Sequence, residues 1–301
     1  MHRQNVGSVL TFGNFDGVHL GHKFILSTVN KISQETGLPS AIITFEPHPS
    51  TVLFNRKNFR LIDQEYKTEL ISRCGINSLH VIDFDKGFSQ VSCSDFISKI
   101  LIGQYNAKHI VVGKNCTFGN KRVGNISTLQ QYSSVYGYSL VELEPLVIDN
   151  EACSSSLIRE YLQSGKVDAA NKLLGRPYQI LGIVKQGARR GREIGSPTIN
   201  IPIENYMIKP KFGTYYATMT CDDQNWLHGV VNIGMRPTFK DLQDPIAEMH
   251  ILDFNKDLYG QMVKIQLLQF MRSERKFCGV DELKEQINCD IIEAYRLKAC
   301  I

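Results

Sequence analysis

Val9-Leu10-Thr11-Phe12-Gly13-Asn14-Phe15-Asp16-Gly17-Val18-His19-Leu20-Gly21-His22 reads as a buried strand, a turn and the opening of a helix. Residues 9–12 are apolar or β-branched and suit a strand covered on both faces. Gly13 and Gly17 permit a tight turn. A periodic segment begins at about Val18, so His19 and His22 share one helix face in its first turn. Two imidazoles beside the unpaired N–H groups of a helix N-terminus form a site for an anion, phosphate above all. Gly21 leaves room between them for a ligand to approach the backbone. A pair of structural histidines is the competing reading. No Gly-Lys-Ser/Thr follows, so the stretch is not a Walker loop, and it lacks G-x-G-x-x-G.

From this stretch outward, strand and helix signals alternate. Strands are expected over 9–12, 41–45, 79–84 and 109–112, and helices over 20–36 and 63–74. Phe24, Ile25, Val29 and Ile32 mark the apolar side of the 20–36 helix. Ser92-x-x-Asp95 resembles a capping box ahead of Phe96, Ile97, Ile100 and Leu101. A β-α-β series predicts a mostly parallel sheet covered on both faces, with ligands outside the carboxyl ends of its strands. His19 and His22 follow one strand, residues 46–49 the next, and Asn115 another.

Three loops there carry polar chemistry. In Thr44-Phe45-Glu46-Pro47-His48-Pro49, two prolines stiffen the chain and disfavour a helix directly after the strand. Phe45 either offers a flat apolar surface to a ring or belongs to the core. In Val112-Gly113-Lys114-Asn115-Cys116-Thr117-Phe118-Gly119, Asn115 can donate and accept without charge; a Phe118-Gly119 that simply closes the loop is the alternative. Cys153-Ser154-Ser155-Ser156-Leu157-Ile158-Arg159 opens a helix with hydroxyls and free N–H groups, a second anion site with Arg159 one turn on. A plain cap with a surface arginine is the alternative.

The pattern changes after Leu174-Gly175-Arg176-Pro177-Tyr178, which divides the chain into domains 1–175 and 176–301. Short strands dominate over 179–184, 215–219, 227–232, 247–252 and 263–270, and predict a closed antiparallel barrel. From Val280 a helix carries Leu283, Ile287, Ile291, Ala294 and Tyr295 on one side. Gly187, Gly191 and Gly195 space a basic stretch with Arg189, Arg190 and Arg192, able to wrap phosphates or to form a surface hairpin. In extended Pro197-Thr198-Ile199-Asn200, Thr198 and Asn200 project to the same side. Their hard oxygens suit Mg²⁺ when phosphates complete the shell. Glu248 and Asp253 are five apart, hence on opposite strand faces and not a paired-carboxylate site. One carboxylate suffices to take a proton from a primary alcohol; an exposed strand residue is the alternative for Glu248.

Composition narrows the classes. The chain has 301 residues, 43% hydrophobic, and a net charge of +4, enough for two sizeable cores. No long apolar run predicts a membrane span, and no signal-peptide core follows the first residues. Eight scattered cysteines form no Cys-x-x-Cys pair and fit free thiols in the cytoplasm. The only basic cluster is too small for a nucleic-acid tract.

With its Asn-Phe-Asp-Gly-Val-His-Leu-Gly-His wording, the opening stretch resembles the bacterial bifunctional riboflavin kinase/FAD synthetase family. Val112 to Gly119 with Arg122 and Gly124, the Ser-Ser-x-x-Ile-Arg segment, Gly191-Arg192-x-x-Gly195-x-Pro197-Thr198-x-Asn200, and the segments around Asn232 and Glu248 resemble its later motifs in order. The resemblance implies an α/β Rossmann-like nucleotidylyltransferase domain. A six-stranded antiparallel β-barrel riboflavin kinase domain with a C-terminal helix would follow. It implies ATP-dependent phosphorylation of riboflavin to FMN, then adenylylation of FMN to FAD with release of pyrophosphate, both with Mg²⁺. ATP and phosphate contacts would come from His19, His22, Gly13, Phe15, Gly21, Ser154, Ser155, Ser156 and Arg159. In the kinase they would come from Gly187, Arg192 and Gly195. Phe45, Pro47, His48, Asn115, Phe118 and Arg122 would border the flavin, Thr198 and Asn200 would hold the metal, and Glu248 would be the base. Cys116 and Ser196 each stand where the family usually has Phe. A flavin-responsive binding protein on the same scaffold is the rival, and it would have no need of metal oxygens and a base together.

Overall fold

A computed structural model of the chain describes residues 7–185, 198–235 and 245–300. By contacts the chain forms two compact units, Met1–Ser155 and Ser156–Ile301, so the division falls ahead of the Gly175-Arg176 break read from the sequence. No helix among the described residues is long and apolar enough to cross a membrane.

The first unit runs β1 (Ser8–Phe12), α1 (Leu20–Thr36), β2 (Ser40–Glu46), α2 (Pro49–Phe54), α3 (Gln64–Ser72) and β3 (Ser78–Asp83). It continues with α4 (Cys93–Asp95, extended by a π-helical Phe96–Gln104), β4 (Ala107–Gly113), α5 (Ile126–Tyr136), β5 (Ser139–Leu143) and a small hairpin, β6 (Val147–Ile148) and β7 (Glu151–Ala152). Five strands form a parallel sheet in the order β3-β2-β1-β4-β5. The order reverses at β1, so the crevice at the carboxyl ends of β1 and β4 is the topological switch point where such sheets bind ligands. Every residue of β1 is buried.

Two local expectations give way. α1 buries Leu26 and Val29, while Phe24 stands 40% exposed, because only the stripe that faces the sheet is covered. A short helix, α2, does begin directly after β2. Pro49 occupies its first position, where a missing N–H costs nothing, and His48 caps it by accepting from Ser50 N at 3.1 Å. Ser92 caps α4 as expected, accepting from Asp95 N at 3.0 Å.

The second unit holds α6 (Ser155–Ser164), α7 (Val167–Leu174), β8 (Tyr178–Ile183), β9 (Thr198–Pro202), β10 (Gly213–Thr220), β11 (Leu227–Met235), β12 (Pro245–Ile251), β13 (Met262–Ser273) and α8 (Val280–Lys298). Its six antiparallel strands run in the order β8-β13-β10-β11-β12-β9. They curl into a half-barrel whose end strands meet where Lys185 N donates to Asn200 O at 2.8 Å. β10 is buried on both faces: Tyr215 packs edge-on against Phe270, and Tyr216 packs with Leu252 and Ala294. At Gly213, with φ of 150°, a Cβ would lie 2.9 Å from the Phe270 ring, so only glycine lets the strands close there.

α8 is tied to the sheet by charge. Arg272 Nε and Nη2 donate to Asp290 at 2.9 and 2.7 Å, and Gln286 Nε2 adds a bond of 2.8 Å. Asp290 is buried, so its loss strands a guanidinium. Asp290→Ala should destabilise this unit by about 3–5 kcal/mol, the cost of breaking a buried pair from one side. Denaturant unfolding of the wild type and the variant measures it; equal midpoints would remove Arg272–Asp290 from the forces holding α8.

Candidate active sites

The signature turn leaves β1 through Gly13 and enters α1 at His19. His19 is 5% exposed and is the helix N-cap: its Nδ1 accepts from His22 N at 3.3 Å. A backbone N–H can only donate, so Nδ1 carries a lone pair and the ring proton sits on Nε2. The His19 and His22 rings stack with centroids 3.6 Å apart, and Phe15 lies 5.0 Å from His22. A Cβ on Gly21 would come within 3.1 Å of the His19 ring and 3.2 Å of Cys153 O, so glycine is what fits between them.

The N–H groups that the sequence left open at the start of α1 have protein partners. The His22 N–H is used by His19, and those of Gly21 and Leu20 point at the Cys153 sulfur, opposing the rise that burial imposes on that thiol's pKa. Cys153 Sγ also lies 3.4 Å from His19 Nδ1. What this turn presents to an anion is therefore chiefly imidazole N–H. Ser155 Oγ donates to Asp16 O at 2.8 Å, which ties the second expected anion segment to the first. Ser154 is half-buried just before α6, and Ser156 (exposed) and Arg159 (half-buried) lie in its first turns.

The expected flavin-side residues separate into surface and core. Pro47 and Asn115 are exposed. Arg122 is also exposed and its Nε donates to Thr117 Oγ1 at 2.9 Å. Phe45 is half-buried in an aromatic group with Phe84, Phe88 and Phe96. His48 is buried, capping α2 and meeting Phe59 edge-on at 4.8 Å. Phe118 is 7% exposed and lies edge-on to Phe12 at 5.5 Å, so its ring belongs to the core under the loop. Cys116 packs on that same core, and burial pushes its thiol up to about 12. Cys116 already packs against that core, so Cys116→Phe should overpack it and cost roughly 1–3 kcal/mol. A lower thermal midpoint is expected; an unchanged one would reveal an unfilled gap at this loop.

Below the turn is a polar group the sequence reading passed over. Asp16 is buried and accepts from Leu61 N at 3.0 and 3.2 Å and from Ile62 N at 3.4 Å. Arg60 grips Glu46 with both terminal nitrogens, at 2.7 and 2.9 Å. Lys67 is buried beside them. Its spacing from Leu70 and Ile71 puts it on the apolar side of α3, which is the signal that could have exposed it.

In the second unit, antiparallel register builds the other constellation. Glu248 on β12 lies opposite Asn200 on β9, and His250 opposite Thr198. Thr198 and Asn200 do share a face, and Glu248 joins it. Thr198 Oγ1 donates to Glu248 Oε1 at 2.7 Å. Asn232 on β11 is the partner of Glu248 on its other side, so three polar residues form a row across adjacent strands. Asp253 lies beyond β12 and accepts from Tyr295 and Lys298 of α8, away from this row. Gly187, Arg189, Arg190, Arg192, Gly195 and Ser196 lie outside the described residues.

Known proteins match both units. A model of FAD synthetases covers residues 1–157, and one of riboflavin kinases covers 174–298. A bifunctional riboflavin kinase/FMN adenylyltransferase of Bacillus subtilis is 40% identical over 294 residues, 96% of this chain and 92% of that protein. The one from Escherichia coli K12 is 34% identical over 289 residues, with the same coverage. A crystal structure described as a macrolide-efflux protein from Streptococcus pneumoniae superposes with a TM-score of 0.86 at 29% identity, over 96% of this chain and 94% of that one. Two tandem family matches, each holding its own polar constellation, identify the chain as a member of the bifunctional riboflavin kinase/FMN adenylyltransferase family.

Proposed function

We infer that this enzyme converts riboflavin and ATP to FMN in its C-terminal unit, and FMN and a second ATP to FAD and pyrophosphate in its N-terminal unit. The observation that carries the reading is that each family match contains a matching polar constellation: stacked His19 and His22 in the first, Thr198, Asn200 and Glu248 in the second.

In FAD formation the FMN phosphate is already a nucleophile. The protein needs to align it with the α-phosphate of ATP and offset charge on the leaving pyrophosphate. The Nε2–H of His19 is a donor whose tautomer the helix cap sets, and His22 stacks beside it as a second imidazole. Ser154 and Ser155, at the end of the same unit, are further phosphate partners in this reading. In FMN formation the attacking group is a neutral hydroxyl, so a proton must leave. Glu248 is exposed, can meet substrate, and is oriented by the Thr198 hydroxyl. The Thr198 hydroxyl and the Asn200 amide are hard oxygen donors on one face and fit Mg²⁺. Bound there, the ion would draw charge from the ATP phosphates. All eight cysteines are free thiols, which suits work in the cytoplasm.

The test is a time course with riboflavin, ATP and Mg²⁺ and chromatographic separation of flavins. FMN should appear first and FAD after it. Absence of FMN would overturn the kinase reading, and supplied FMN that never becomes FAD would overturn the other.

A further inference from the structure

The group under the signature turn is built around Lys67. Its side chain is 2% exposed, and its ammonium lies 3.3 Å from Thr44 Oγ1, 3.5 Å from Asn14 O and 3.9 Å from Glu46 Oε2. Thr44 Oγ1 also donates to Asn14 O, at 3.2 Å. The carbonyl that opens the turn thus receives from α3 and from β2. Two residues on, Asp16 is anchored by the N–H groups of Leu61 and Ile62, just before α3. Phe15, between these anchors, backs the His22 ring.

We propose that Lys67 is a positioning residue for adenylyl transfer to FMN: from α3 it fixes the Asn14 carbonyl and with it the turn that sets His19 and His22 against the nucleotide phosphates. The inference rests on the N-terminal unit being the adenylyltransferase. A burial this complete is costly for an ammonium and would be relieved by any apolar residue of similar length. Here the ammonium is met by the Asn14 carbonyl, the Thr44 hydroxyl and the Glu46 carboxylate, so its hydrogen bonds end on the turn.

The charged groups around it are Glu46 from β2, Asp16 from the turn and Arg60 from the segment before α3; β3 shows Asp83 to the same face, opposite Glu46 in register. Burial is the largest influence and lowers the Lys67 pKa to about 8; Glu46 and Asp16 oppose that fall and Arg60 adds to it. The ammonium is therefore present at neutral pH and lost as pH rises through about 8. Stability should move the opposite way. Between the folded value and the ordinary 10.5 the unfolded chain binds the extra proton, so deprotonation of Lys67 favours the folded state as pH rises. Activity falling where stability rises is a signature that a purely structural lysine would not produce.

The experiment measures FAD formation from supplied FMN and ATP against pH, with thermal midpoints, for wild type, Lys67→Met and Lys67→Arg in the full chain. Riboflavin phosphorylation by the same samples reports integrity of the other unit. Wild type should lose FAD synthesis above about pH 8. K67M should lower kcat by about 10- to 10²-fold, the scale of a displacement of about an ångström, with little change in KM, and should lack the alkaline limb. K67R should keep activity and carry it past pH 9, because a guanidinium stays charged. Wild-type kcat in K67M, or an alkaline limb unmoved in K67R, would overturn the proposal. If K67M does not fold, the K67R pH profile decides alone. A wild type that makes no FAD at any pH would instead refute the underlying adenylyltransferase reading.

Discussion

Glu248→Gln should lower kcat for FMN formation by about 10²–10⁴-fold, the range for loss of a general base. The substitution isolates basicity. The glutamine carbonyl can still accept the Thr198 hydroxyl, which donates to Glu248 Oε1 at 2.7 Å, and side-chain length is kept. Affinity for Mg²⁺-ATP should therefore be largely retained, so that kcat and kcat/KM fall together. Thr198→Ala should differ, weakening Mg²⁺-ATP binding as well as turnover, since it removes the oxygen proposed for the metal and releases Glu248 from its partner. FAD synthesis from supplied FMN should survive both changes, because that phosphate needs no base and the histidines lie in the other compact unit. The measurement is kcat and Mg²⁺-ATP affinity for each variant with FMN and FAD resolved. If E248Q phosphorylates riboflavin at the wild-type rate, the proton goes elsewhere.

The mirror experiment addresses the first unit. Loss of a donor aimed at developing phosphate charge costs on the order of 10²-fold in kcat, so His22→Ala should slow FAD formation by that amount. His19 needs more care because it also caps α1, and removing a cap costs about 0.5–2 kcal/mol. His19→Asn keeps a good capping side chain and removes Nε2–H, so it separates the two roles. Both variants should phosphorylate riboflavin at the wild-type rate, which serves as the folding control. Equal loss of the two activities in a folded variant would mean that the units do not work as separate sites.

Local pattern was enough for much of this molecule. The strand-turn-helix of residues 9–22, the full extent of α1, the parallel order of the first unit's layers and the antiparallel character of the second follow from periodicity and turn residues. So does the shared face of Thr198 and Asn200, because strand alternation is a property of neighbouring residues. What the pattern could not contain is which distant segments meet. Glu248 faces Asn200 only because β12 and β9 pair in that register, and a slip of one residue would turn it to the other side. Cys153 reaches the start of α1 from 134 residues away and occupies N–H groups that looked open in the sequence. Phe118 also packs with Phe12 and Phe96 from elements far apart in sequence, and Lys67 is buried beside Asn14 and Thr44. Hydrogen bonding along one element depends on nearby residues and is legible in order. Burial and charge pairing depend on chain segments far apart in sequence, and only the folded arrangement decides them.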